Sequence, residues 1–234
     1  MEPIFLTIFC SFLPGCRSFP RRVSDCHPSS GDCRSPPWRS PPSLFFVDRV
    51  VNPHFLFNSL NTIIAIVRKD ADRARSLLIH LSNFFRKNLK RSTDFSTLEE
   101  ELDHVKSYLQ IEEARFEDRL AVEMDIDPTL LHLKIPTFTL QPLIENAIKH
   151  GISNMLEKGV ARIRAYRKDD LAFIEIEDNA GAYCPAGMTD GHGIRIVDKR
   201  IKFLMGANFG TAVACVPHEM TRVTVKIPAE GWKP

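Results

Sequence analysis

Beyond residue 50 the apolar positions follow two different rhythms, and the change between them divides the chain. Leu60, Ile63, Ile64, Val67, Ala74, Leu77, Leu78, Leu81, Phe84, Phe85 and Leu89 recur at three- and four-residue steps. That spacing lines one face of an amphipathic helix. Asn52 suits an N-cap and Pro53 the first helical position, so the pattern predicts a helix from there to about Leu89. Lys87–Arg91 places cations in its last turn, where the helix dipole favours them. Thr97 followed by Glu100 is a capping box for a second helix. Its apolar stripe is Leu98, Leu102, Val105, Leu109 and Phe116. The short link between the two predicts an antiparallel hairpin.

After residue 119 the rhythm changes. Leu120–Ile126 alternates apolar and polar residues, as a half-buried strand does. Phe138–Ile152 reads as a helix with Pro142 early and Gly151 near its end. Val160–Tyr166 and Leu171–Glu177 read as a strand pair, Gly193–Gly206 as a helix closed by glycine, and Thr211–Val216 and Arg222–Pro228 as two further strands. The order ααβαββαββ predicts an α+β protein: a helical hairpin over 51–118, then a mixed sheet covered on one face by helices over 119–234.

The first 50 residues share neither rhythm. Eight of the chain's 16 prolines lie there, with four of its six cysteines. Such a segment has no periodic apolar face to bury, so 1–50 is expected to be a disordered or non-native leader outside the folded core. Cys10, Cys16, Cys26 and Cys33 show no CxxC pair, and the isolated Cys184 and Cys215 suit a reducing cytoplasm. No apolar run approaches the roughly 20 residues of a membrane span. With 31 basic against 29 acidic residues and a net charge of +2, nothing argues for nucleic acid as a partner.

Four short stretches carry candidate chemistry. In Asn52-Pro53-His54, a histidine stands at the head of an apolar helix. It reads either as a buried packing residue or as a neutral imidazole nucleophile. In Glu145–Gly151 (ENAIKHG), Asn146 costs helix propensity, and either faces solvent or offers an amide oxygen to a hard cation such as Mg²⁺. Ile176–Gly181 (IEDNAG) is a strand running into a turn, or a strand-end carboxylate placed to accept from a base amino group. Gly191–Arg195 (GHGIR) opens a helix where backbone can approach a phosphate chain.

In this order and spacing the last three stretches resemble the N, G1 and G2 boxes of the Bergerat-type ATP-binding domain. With NPHFLFNSLNTI and LQPLIENAIKHG the resemblance narrows to the LytS-type sensor histidine kinases, most of all their pyruvate-responsive members. It runs from about Val51 to the C-terminus. It implies ATP and Mg²⁺ as cofactors and His54 as phosphoacceptor, with Asn58 one turn on to orient the ring. It implies that Asn146 holds Mg²⁺, that Asp178 recognises adenine, and that Gly181, Gly191 and Gly193 shape the pocket and lid. Lys149 and His150 would lie near the phosphates, and Thr211 would back up Asp178. Phe55, Leu56, Phe57 and Leu60 would form the face of a homodimeric bundle, with His54 at its edge. A LytTR-type response regulator would be the partner. A cytoplasmic location follows, with the membrane reached only through a sensor region not recognisable here, as in inner-membrane relatives.

The chain departs from the wider pattern in three places. Phe55 stands where many such kinases carry an acidic base, which leaves Glu145 as a candidate. Arg195 replaces a glycine, and the stretch from Gly181 to Gly191 is short. Two other readings therefore stand beside the kinase: a Bergerat ATPase without phosphohistidine, and a nucleotide-binding module impaired by truncation.

The leader assignment predicts that deleting Met1–Arg49 leaves the thermal midpoint unchanged. A fall of several degrees, about 1–2 kcal/mol at this size, would show that the leader packs on the core.

Overall fold

The structure, a computed structural model, describes residues 53–90, 93–182 and 192–230. The leader 1–50 lies outside these residues, as does Gly191. In chain order the main elements are α1 (Pro53–Val67), α2 (Ala71–Lys90), β1 (Phe95–Thr97), α3 (Leu98–Phe116), β2 (Leu120–Ile126), β3 (Lys134–Pro136), α4 (Leu140–Asn146), β4 (Gly159–Lys168), β5 (Leu171–Asp178), α5 (His192–Met205), β6 (Gly210–Val216) and β7 (Met220–Pro228). The fold is α+β. A five-stranded mixed sheet has the order β2-β4-β5-β7-β6, with β2 parallel to β4 and the other pairs antiparallel.

The long first helix expected from the apolar spacing is two helices. The chain turns at Arg68–Asp70, where the Lys69 and Asp70 amides both donate to the Ile66 carbonyl. Asp70 then caps α2 by accepting from the Arg73 amide at 2.8 Å. The three-to-four spacing ran through this turn unbroken because each helix carries an apolar stripe, so periodicity alone could not register it. The antiparallel hairpin is therefore α1–α2, and α3 packs against both.

One aromatic layer joins these three helices. Phe55 of α1 meets Phe84 of α2 at 5.1 Å and Tyr108 of α3 at 5.0 Å between ring centroids. His104 of α3 lies flat on Phe84 at 4.9 Å and 3°. Aromatic pairs at such distances add about 0.5–1.5 kcal/mol each beyond area burial.

On its other side α3 belongs to the sheet domain. The capping box at its start is formed as expected, with Thr97 and Glu100 exchanging both bonds. The capping strand β1 pairs with β3, a two-stranded ribbon too short to show in the sequence pattern. Glu101, fully buried, reaches across to the start of α4. It accepts from the amides of Phe138, Thr139 and Leu140 at 3.1, 3.0 and 3.2 Å, and from the Ser96 hydroxyl at 3.0 Å. Thr139, the residue before α4, makes no side-chain cap of its own. Glu101 satisfies amides that the helix start leaves open, and its charge opposes the positive end of the dipole.

The sheet sorts its residues by alternation. Ala161, Ile163, Ala165, Ala172, Ile174, Ile176, Val223, Val225 and Ile227 face the helices and are buried. The opposite face is an ionic lattice. Glu177 accepts from Arg162 at 3.0 Å and from Arg222 at 2.7 Å, and Arg164 lies 3.3 Å from it.

Replacing Glu101 with Ala leaves three buried amides and a hydroxyl without their acceptor. The expected cost is about 3 kcal/mol, a fall of roughly 10 °C in the thermal midpoint. Calorimetric unfolding of the two proteins measures it, and a fall under 2 °C, about 0.5–1 kcal/mol at this size, would remove Glu101 from its pinning role.

Candidate functional site

The site residues collect where α4 meets the ends of β5 and α5. Leu140, Leu143 and Ile144 bury one side of α4. The helix does not continue regularly through Gly151 as the sequence suggested. After Asn146 it widens into a π segment, Ala147–Gly151, with Ala147 and Ile148 buried and Lys149 and His150 exposed. Widened turns of this kind are frequent at functional sites, because the extra residue re-aims the side chains that follow.

Two glycines let the elements close up. A Cβ built on Gly151 would lie 2.9 Å from the Asp178 carboxylate, and one built on Gly193 would lie 3.0 Å from the Asn146 amide nitrogen. The π segment thus abuts the end of β5, and the start of α5 abuts the end of α4. Asn146, Gly151, Asp178 and Gly193 form one neighbourhood, assembled from stretches far apart in the chain. Gly181, also expected here, sits at φ 53°, a left-handed backbone that suits glycine, against the backbone of Val216 and His218.

Asp178 is buried, and its carboxylate receives the Ala180 amide at 3.0 Å and bonds from Gly181 and Thr221. Burial pushes its pKa from 3.8 up to about 6, against the lowering effect of these donors. The hydroxyl behind it is Thr221, not Thr211. Thr221 is the residue directly opposite Asp178 on β7. Thr211 instead gives its amide to Asp198 at 2.9 Å, with its hydroxyl 3.4 Å from the same oxygen, and ties β6 to α5. Strand pairing decides this placement, and the register between β5 and β7 could not be read from spacing.

The Asn146 amide nitrogen is buried and has no hydrogen-bond partner among the described residues. A buried amide left so is costly unless a ligand uses the group. Glu145, half-buried, accepts from the Gln141 amide nitrogen at 2.7 Å, and the Gln141 amide oxygen accepts from His104 Nε2 of α3 at 2.7 Å. Arg195 is exposed on α5. Among the described residues no group of His, Cys, Asp and Glu could hold a metal by itself.

His54 sits apart from this neighbourhood along the chain, in the first turn of α1, and is exposed. The Asn58 amide nitrogen lies 3.3 Å from both ring nitrogens, so the one-turn pairing expected from the sequence is formed. The apolar residues around it divide between two faces. Phe55, Ser59 and Ile63 are buried against the hairpin, whereas Phe57, Leu60, Ile64 and Val67 are exposed. Phe55 therefore does not share a face with Phe57 and Leu60: at about 100° per residue they point to different sides of α1.

Cys215, read from the sequence as an isolated thiol, is disulfide-bonded. No described helix is long and apolar enough to cross a membrane.

The close approach at Gly151 predicts a cost for any side chain there. Gly151→Ala sets a methyl against the Asp178 carboxylate and should destabilise by about 1–3 kcal/mol. Urea unfolding of the variant checks it, and an unchanged midpoint would show that the π segment stands away from β5.

The family profile described as "Histidine kinase" matches residues 44–120. The chain is 51% identical over 178 residues to the sensor histidine kinase BtsS of Escherichia coli K12, covering 76% of this chain and 32% of that protein. It is 40% identical over 167 residues to the sensor protein LytS of Staphylococcus saprophyticus, covering 70% of this chain and 26% of the relative. The chain thus spans about a third or less of the length of these curated relatives. Among solved structures, the histidine kinase domain of the Erythrobacter litoralis EL346 blue-light activated histidine kinase superposes with a TM-score of 0.45 at 18% identity, over 80% of this chain and 93% of that one. Over the part that matches them, the chain fits the C-terminal portion of a LytS-type sensor histidine kinase.

Proposed function

We propose that this chain uses MgATP to phosphorylate His54 and passes the phosphoryl group to an aspartate of a LytTR-type response regulator. In this reading residues 51–118 carry the phosphoacceptor and dimerisation helices and 119–234 the Bergerat-type ATPase, with α3 serving both. The observation that carries the reading is the convergence of Asn146, Gly151, Asp178 and Gly193 on one neighbourhood, with an exposed, amide-paired histidine on the adjoining hairpin.

Each residue then has a physical task. Asp178 accepts a hydrogen bond from the adenine amino group, and Thr221 holds the carboxylate in place. Asn146 supplies one neutral oxygen, and the cation keeps its remaining ligands from phosphates and water, as Mg²⁺ prefers. The buried, unpartnered Asn146 amide fits that role, because no protein hydrogen bond opposes turning its oxygen toward a cation. Bound Mg²⁺ neutralises charge on the transferring phosphoryl group. Lys149 and His150 on the exposed π turn, with Gly193 at the start of α5, lie on the phosphate side. Glu145 is the candidate base. The neutral His54 imidazole attacks, and Asn58 fixes its orientation.

The exposed stripe Phe57, Leu60, Ile64 and Val67 supports a homodimer. Its steps of three, four and three are those of a coiled-coil seam, and Phe57 and Ile64 are 65% and 66% exposed in the single chain.

Radiolabelled ATP tests the core of this reading. Acid-labile, base-stable label should appear on the chain and vanish in His54→Gln, and persistent label would remove His54 as phosphoacceptor. Nucleotide affinity gives a second check. Asp178 is ionised above about pH 6, so affinity should fall as pH drops through that value, by about tenfold between pH 7.5 and 5. Asp178→Asn should bind weakly with that pH dependence gone. Ile64→Asp should shift sedimentation from dimer toward monomer.

A further inference from the structure

A hydrogen-bond chain crosses from α3 into the first turn of α4. His104 of α3 is fully buried, and its Nε2 lies 2.7 Å from the Gln141 amide oxygen. The Gln141 amide nitrogen lies 2.7 Å from Oε1 of Glu145, one turn along α4. An amide oxygen only accepts, so His104 Nε2 carries the proton and donates it. An ionised carboxylate only accepts, so the nitrogen of Gln141 has to face Glu145. The two demands agree on a single sense of the amide, and the chain runs from His104 through Gln141 to Glu145.

The donor end of the chain is clamped. The His104 ring lies flat on Phe84 at 4.9 Å and 3°, and it meets Phe138 edge-on at 6.3 Å and 78°. Phe84 packs in turn on Phe55, the neighbour of His54, at 5.1 Å. Phe138 gives its amide to Glu101 at 3.1 Å. A side-chain pair one turn apart on a helix surface is weak by itself. Gln141 differs because its second bond comes from a ring that cannot turn.

We propose that Gln141 is a positioning residue for phosphoryl transfer: His104 sets the sense of its amide, and the amide holds the Glu145 carboxylate in one place beside Asn146. The inference rests on the kinase reading above, in which Glu145 is the candidate base, and Gln141 acts only through Glu145. A glutamate has three side-chain torsions, so without its donor the carboxylate spreads over several rotamers. A misplaced base costs rate rather than ligand affinity. The aromatic layer thereby serves two groups, holding Phe55 beside His54 and, through Phe84 and His104, the carboxylate beside Asn146.

Variants of the full chain test this. Each is compared by the initial rate of His54 labelling at saturating MgATP and by KM for MgATP, at a temperature where circular dichroism shows all of them folded. Gln141→Met keeps the length and bulk without the amide. His104→Phe keeps a flat ring on Phe84 without the donor. Each should slow labelling by about tenfold and leave KM within about twofold. The double variant should be no slower than either single one, since both break the same chain. His104→Gln puts an amide N–H near the place of Nε2 and should regain most of the rate. A rise in KM that matches the fall in rate, additive losses, or a His104→Gln variant as slow as His104→Phe overturns the proposal. Nitrogen NMR of the imidazole reads the chain without activity. His104 should be the Nε2–H tautomer, and Gln141→Met should shift that proton, whereas a proton on Nδ1 alone overturns the proposal. If wild type takes no label on His54, the kinase reading fails and the positioning role with it. Label on wild type with Gln141→Met equally fast sinks only the role of Gln141.

Discussion

The arrangement of the site depends on one buried charge. Glu101 lies wholly inside the protein and holds three successive amides at the start of α4. An ionised carboxylate in such a place is expensive unless its oxygens are saturated with donors, and here four donors reach it. The bonds are directional, so they fix both the position of the α4 terminus and its rotation. That rotation decides where Asn146 and the π segment point. Phe138, the first donor, has φ 60°, an unfavourable backbone for a bulky residue, which persists because the surrounding bonds over-determine it. A hydrophobic contact between α3 and α4 would bring the helices together as well, but would not set their register.

This constraint explains why part of the site was legible in the sequence and part was not. What depends on local chemistry could be read: Pro53 opening α1, the Thr97–Glu100 box, the Gly206 stop at φ 107°, and the glycine-rich starts and ends of elements. What depends on pairing between distant segments could not. Thr221 supports Asp178 only because β5 and β7 run antiparallel in that register. Glu101 looks like one of three acidic residues in a helical first turn, and nothing nearby shows that it caps another helix 37 to 39 residues away. The turn at Arg68–Asp70 was invisible because an apolar stripe continued through it.

The two stripes of α1 make a related point about His54. One stripe is consumed by the hairpin and the other is exposed, leaving His54 and Asn58 on the remaining polar sector. A histidine hemmed in on both sides by apolar faces is presented in one direction. Its neighbour Phe55 is anchored in the aromatic layer, so the histidine's position follows from the packing of Phe84 and Tyr108. His54 and helix α4 are thus both referred to α3, one through rings and the other through Glu101.

The last constraint acts on β5 itself. Glu177 and Asp178 are adjacent carboxylates, and strand alternation sends them to opposite faces of the sheet. Their environments pull them apart. Burial works to raise Glu177, but hydrogen bonds from Arg222 and Arg162 outweigh it and hold its pKa below the usual range. Asp178 has backbone amides and a hydroxyl but no guanidinium, so burial wins and raises it to about 6. The Glu177 charge already adds to the rise of Asp178, and without the arginines that match it the effect would be larger. Near neutral pH that would leave the inner carboxyl protonated, a weaker acceptor without its charge. The ionic lattice on the outer face therefore supports the inner one: it lets two neighbouring carboxylates stay ionised while only Asp178 keeps acceptor capacity for a ligand.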